Sequence, residues 1–148
     1  MELTSPAFKT HDFIPKKYSC QGENISPALT WSLAPQNTKS FALIMDDPDA
    51  PVGVWVHWVV YDLPATLAAL PEGFPETKQG RSGGVDAFER LGYGGPCPPP
   101  GPAHRYFFRL YALDQVLGLP PQSTKPELLK AMKGHILAQA ELVGLFQR

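Results

Sequence analysis

The chain has 148 residues, 43% of them hydrophobic and 18% charged, with a formal net charge of −1. That length implies one domain, residues 1–148, able to bury a core without staples, and the high apolar and low charged content excludes an intrinsically disordered chain. With a near-neutral balance and no basic stripe, nothing draws in nucleic acid or an anionic membrane, and no apolar run approaches the roughly 18 residues of a transmembrane segment.

Taken in chain order, weak strand signals fall at residues 14–20 and 29–32. Residues 40–45 and 54–61 are short runs rich in β-branched and aromatic side chains, bounded by Pro, Gly or Asp. The second is apolar at both parities, which predicts a strand in the middle of a sheet covered on both faces. Gly80-Arg81-Ser82-Gly83-Gly84 matches the Gly-x-Ser-x-Gly nucleophile elbow in letters only. The elbow needs a strand before it and a helix after it. Breakers fill residues 71–79 and no helical pattern follows, so a mobile Gly-rich loop is expected. Residues 105–113 form a third strong strand signal.

Thr124-Lys125-Pro126-Glu127 reads as a capping box with proline in the first turn, opening a helix whose apolar stripe is Leu128, Leu129 and Met132. Gly134 is its natural stop. Beyond it two readings stand: Ile136, Leu137, Ala140 and Val143 fit a helix, and residues 142–146 fit a buried strand. No strand alternates regularly with a long helix, which argues against a parallel doubly wound sheet. The pattern predicts a mainly antiparallel β protein with one or two accessory helices.

Two cysteines, Cys20 and Cys97, permit one disulfide. The start Met1-Glu2-Leu3-Thr4-Ser5-Pro6 lacks the basic and apolar segments of a signal peptide, so a reduced, cytoplasmic setting with both thiols free is expected. Within the loop of residues 92–101, Cys97 is expected to be buried as a small hydrophobe.

Chemistry concentrates in three separated pieces. These are Asp46-Asp47-Pro48-Asp49-Ala50-Pro51, Trp55-Val56-His57-Trp58, and the Gly-Pro-rich residues 92–101 leading into His104-Arg105-Tyr106. A calcium loop fails, because Pro51 stands at the third ligand position and Trp58 at the closing one. The histidines and cysteines show no zinc spacing, and no metal or cofactor is expected. Strand parity puts His57 with Trp55, and His104 with Tyr106 and Phe108. Two histidines and a carboxylate at apolar strand positions are costly unless partnered, which suits a small-anion site; isolated core histidines bonded to backbone carbonyls are the alternative.

At these residues, and over nearly the whole chain, the sequence resembles the phosphatidylethanolamine-binding proteins, in particular their short bacterial and archaeal Raf-kinase-inhibitor-like members. The blocks that carry the resemblance include Ser26-Pro27-Ala28-Leu29-Thr30-Trp31, Asp47-Pro48-Asp49-Ala50-Pro51, Gly92-Tyr93-Gly94-Gly95-Pro96-Cys97-Pro98 and His104-Arg105-Tyr106. The resemblance implies an antiparallel β-sandwich with a large and a smaller sheet, a final strand near residues 141–147, and a cis peptide at Pro51. It further implies a pocket for phosphate or carboxylate groups lined by Asp47, Trp55, His57, Gly95, Pro96, His104 and Tyr106. Asp46 and Asp49 are read as turn residues, Arg105 as the partner of a carboxylate, and Trp31 and Trp58 as core.

The implied function is a binding or regulatory protein, not an enzyme, acting on a phosphorylated or carboxylated ligand and on a kinase or protease target. A homodimer is expected, and the mammalian-type C-terminal helix that helps wall the pocket has no counterpart before Arg148. Two alternatives stand beside it: a metal-dependent enzyme using Asp47, His57 and His104, and an interaction module without a ligand. If Asp47 shares a pocket with both histidines, it should hold a proton on one ring, and phosphate monoester binding should fall between about pH 6 and pH 8.

Overall fold

The computed structural model describes residues 1–75, 81–84 and 87–148. Strands β3 (Ser40–Asp47), β4 (Trp55–Pro64), β6 (Arg81–Gly84), β7 (Ala87–Leu91), β8 (His104–Leu113) and β9 (Ile136–Phe146) build the large sheet, in the order β7-β6-β4-β3-β8-β9. A smaller sheet joins β1 (Glu2–Thr4), β2 (Leu29–Ser32) and β5 (Ala69–Leu70) in the order β1-β2-β5. The paired neighbours run antiparallel. One α-helix, α1 (Lys125–Met132), completes the architecture with a short 3-10 turn at Lys16–Tyr18.

The apolar run of β3 explains the layering. Phe41, Leu43 and Met45 enter one cluster with Leu3, Trp31 and Leu70 of the small sheet, while Ala42 and Ile44 enter a second with Leu128 and Met132 of α1. Trp31 and Trp58 are core, as expected. Each such large side chain stabilises by about 1.5–3 kcal/mol when buried, so a strand loaded on both faces is committed to the sheet centre. The helix begins as the sequence indicates: Thr124 Oγ1 accepts from the Glu127 backbone N–H and Glu127 accepts from the Thr124 N–H.

Two register shifts along β3–β4 displace residues of β4. One lies near Asp62, whose φ is +53° and whose carboxylate accepts from the backbone N–H groups of Leu117, Gly118 and Leu119 at 2.8, 3.2 and 3.0 Å. This ties down the connection between β8 and α1.

Three expectations change, and one open choice is settled. Residues 14–20 are no strand: local bonds from Tyr18 to Pro15 and Ser19 to Lys16 close a 3-10 turn, and Phe13 makes an isolated bridge to Leu145. Ile136–Phe146 is strand throughout, because β8 offers it a ladder from Leu113 to His104 that outweighs a helix-like spacing. Arg81–Gly84 is a strand, not a loop; pairing with β4 and β7 uses backbone groups that glycine supplies as well as any residue, and Gly80 lies outside the described residues. Pro51 follows a trans bond, since no cis peptide occurs among the described residues.

Candidate functional site

The site forms where β3 hands over to β4 and β8 begins. Met45 pairs with Trp58 and Asp46 with Val56, so His57 is the extra residue of a bulge. His57 and Trp58 therefore serve the same side of the sheet, His57 in the cavity and Trp58 in the core. His57 is 5% exposed. Its Nδ1–H donates to the Gly94 carbonyl at 2.6 Å, and its own carbonyl accepts from the Gly94 N–H at 2.8 Å. The ring stands edge-on to Tyr106, centroids 5.1 Å apart. Burial pushes the His57 pKa down, against the opposing pull of the Gly94 carbonyl and Asp47.

His104 opens β8, and its Nδ1–H donates to Asp47 Oδ2 at 2.7 Å. The other oxygen of Asp47 accepts from the Asp49 backbone N–H at 2.7 Å. Asp47 thus serves His104 and the turn together, and His57 takes a backbone carbonyl instead of the shared carboxylate. Asp49 is indeed in the turn, where Arg105 grips it through Nε at 2.9 Å and NH2 at 2.8 Å. That guanidinium holds the Asp49 carboxyl down at about 2. Asp46 is not a turn residue: it lies inside β3 facing α1, bound by Lys125 at 2.7 Å and Arg109 at 3.3 Å.

The opposite wall comes from residues 92–99. Gly95 N–H donates to Asn24 Oδ1 at 2.8 Å, Cys20 N–H to Pro96 O at 3.1 Å, and Tyr93 O–H to Tyr18 O at 2.7 Å. A Cβ on Gly95 would stand 2.1 Å from Tyr18 O and 2.5 Å from Asn24 Oδ1, so only glycine fits there. Contrary to the expectation of free thiols, Cys20 and Cys97 form a disulfide, and both residues are exposed. The turn at Lys16–Tyr18 delivers Cys20 to the loop, a tertiary approach that composition does not display. The disulfide also removes the thiol-based reason for expecting a reduced setting.

The cavity has a volume of about 460 Å3. Asp47, Trp55, His57, Gly95, His104 and Tyr106 all line it. Pro96 does not; it is buried, and its carbonyl accepts from Cys20. Sequence reasoning missed Asn24, whose φ of +58° marks a turn asparagine, and Pro98 and Pro99 on the rim. The one available hint was that asparagine tolerates the left-handed region. Tyr106 is fully buried; its hydroxyl has no partner at ordinary hydrogen-bond distance and interacts at longer range with the Asp47 carboxylate. Burial, reinforced by Asp47, pushes its pKa up.

Among the described residues, no lysine or arginine lines the cavity. Among the described residues no group of three His, Cys, Asp or Glu side chains is arranged to hold a metal ion; Asp47, His57 and His104 share the cavity, but both Asp47 oxygens are already engaged. Nor is any helix among them long and apolar enough to cross a membrane.

A family profile described as phosphatidylethanolamine-binding protein matches residues 4–147. A UPF0098 protein of Methanothermobacter thermautotrophicus is 50% identical, the match covering 100% of this chain and 99% of that one. A UPF0098 protein of Aquifex aeolicus is also 50% identical, covering 100% and 89%. Among solved structures, CT736 of Chlamydia trachomatis, a homologue of the phosphatidylethanolamine-binding protein, superposes with a TM-score of 0.91 at 46% identity over 99% of this chain and 97% of that one. YbcL of E. coli, described as a member of the mammalian family, gives 0.87 at 31% identity over 99% and 98%.

Proposed function

Because the chain belongs to the phosphatidylethanolamine-binding protein family, we propose that its cavity binds the acidic group of a small phosphorylated or carboxylated molecule, without turnover. The observation that carries this reading is the convergence of His57, His104 and Tyr106 on one cavity. Trp55, Pro98 and Pro99 supply apolar surface for the organic part of the ligand.

Through that ligand the protein regulates a kinase or protease, either by competing for a phosphorylated segment or by changing shape at the rim. A homodimer covering Val52, which is 72% exposed at the cavity mouth, belongs to the same reading. Calorimetric titration with phosphoethanolamine, inorganic phosphate and acetate tests the binding. Millimolar or tighter affinity that His104→Ala weakens is expected. Silence from all three ligands would leave a ligand-free interaction module. A monomer mass by light scattering at working concentration would remove the dimer.

A further inference from the structure

Two walls of the cavity are fastened differently. Residues 92–101 are held to the large sheet and to the chain end that follows it. Gly94 exchanges two hydrogen bonds with His57, at 2.6 and 2.8 Å, Arg148 Nε donates to Pro98 O, and Gln147 Nε2 donates to Gly101 O at 2.7 Å. Residues 19–24, opposite them, bond among themselves and to the turn before them. Gln21 N–H donates to Ser19 Oγ at 3.1 Å, Gly22 N–H to Ser19 O at 3.1 Å, and Asn24 N–H to Lys17 O at 2.9 Å. The turn is too tight for a side chain at Gly22, where a Cβ would meet Lys16 O at 2.3 Å. Fixed points stand on either side. Tyr18 is buried with its hydroxyl on Glu72 at 2.7 Å, and Ser26 is buried with its Oγ accepting from the Phe74 N–H at 3.0 Å. Residues 19–24 thus form a preshaped flap between two anchors, and the flap brings Cys20 and Asn24 to the cavity. It meets the far wall through the Cys20 N–H to Pro96 O at 3.1 Å, the Gly95 N–H to Asn24 Oδ1 at 2.8 Å, and the Cys20–Cys97 disulfide.

We infer that Cys20–Cys97 is a site of thiol–disulfide exchange with a dithiol reductant, and that its reduction unlatches the flap of residues 19–24 from the cavity wall. Both residues are exposed and both line the cavity, so an incoming thiolate reaches them without the core unfolding. The thiolate attacks one sulfur and displaces the other cysteine as a thiolate, which takes up a proton. The second thiol of the reductant then displaces the first cysteine from the mixed disulfide. Two electrons pass to the protein, which ends with two thiols, and the reductant ends as a disulfide. Neutral hydrogen bonds beside exposed residues then carry the contact, and regions held in that way open at low cost. A disulfide between core strands would staple the fold; this one joins a flap to a rim. The latch does not depend on what the cavity holds.

The test follows the parent protein by NMR before and after reduction with dithiothreitol, with no ligand added. Under native conditions a thiol titration should count both cysteines of the chain. The amides of Cys20 and Gly95, which bond across the gap, should then exchange with solvent about tenfold or more faster, while amide resonances of β3 and β8 keep their positions. The double variant Cys20→Ser, Cys97→Ser should match the reduced parent and ignore the reductant. Thiols that appear only in urea, unchanged exchange at Cys20 and Gly95 in the fully reduced chain, or resonances displaced throughout β3 and β8 would each overturn the latch. Because no ligand enters the measurement, its failure leaves the anion reading untouched, and failure of the anion reading leaves the latch standing.

Discussion

Asp46 and Asp47 are consecutive, equally buried at 3% exposure, and opposite in circumstance. Asp46 faces α1 and is answered by two cations, Lys125 and Arg109. Asp47 faces the small-sheet side and is answered by a histidine and one backbone N–H. The Asp46 face closes over Leu128 and Met132, so its ion pairs fasten a helix to a sheet. The Asp47 face is open. A saturated carboxylate marks structure; one whose partner still has an empty valence marks a site.

If that contrast is right, damage to the two faces should read out in different measurements. The largest effect expected is on the wall of the cavity. Reducing Cys20–Cys97, which closes a loop between residues 77 apart in sequence, should lower unfolding free energy by about 4.5 kcal/mol in the chain-entropy account. Urea melts with and without reductant measure it; an unchanged midpoint would mean that the hydrogen bonds of Tyr18, Cys20 and Asn24 hold the wall unaided.

Next comes Asp46→Ala, which strands Lys125 and leaves Arg109 only its longer pairing with Glu141 at 3.8 Å. Their side chains keep 23% and 29% exposure, so the cost should be about 2–4 kcal/mol, below that of a fully buried broken pair. Phosphoethanolamine affinity should not move. Loss of binding at full stability would show that the two faces are not separate. The converse variant, His104→Ala, should weaken binding by about 0.5–1.5 kcal/mol through the lost hydrogen bond. Calorimetry on the two variants side by side gives the comparison directly.

These expectations show which parts of the molecule were legible in the chain. The apolar strands at β3, β4 and β8 and the capping box at Thr124 are local patterns, and the structure repeats them. The family resemblance supplied the sandwich and most of the cavity lining. What stayed hidden depends on a distant partner: residues 136–140 are strand because β8 lies alongside, and Cys20 meets Cys97 because the Lys16–Tyr18 turn carries it there. Simple alternation would send His57 and Trp58 to opposite faces; the bulge that puts both on one side has no sequence signature. Asp47 and Asp49 are harder still, since a shared Asp-Pro-Asp turn gives no clue that the first oxygen set caps the turn and orients His104 while the second grips Arg105.

That last pair yields the smallest effect. Arg105 holds the Asp49 carboxyl at about 2, well under its ordinary value near 4. A carboxylate with a depressed folded pKa adds stability that is present above the unfolded pKa and is lost as pH falls toward the folded one. The contribution should therefore be whole at pH 5 and gone by about pH 2. Arg105 is 53% exposed, so water and salt screen the pair, and the carboxylate should contribute only about 0.5–1 kcal/mol. Asp49→Asn should flatten that acid limb of the stability curve and leave the neutral-pH affinity for phosphoethanolamine nearly unchanged, because Asp49 does not line the cavity. Salt should shrink the difference between parent and variant further. A large loss of affinity in Asp49→Asn would mean that the turn, and not Asp47 alone, sets the position of His104.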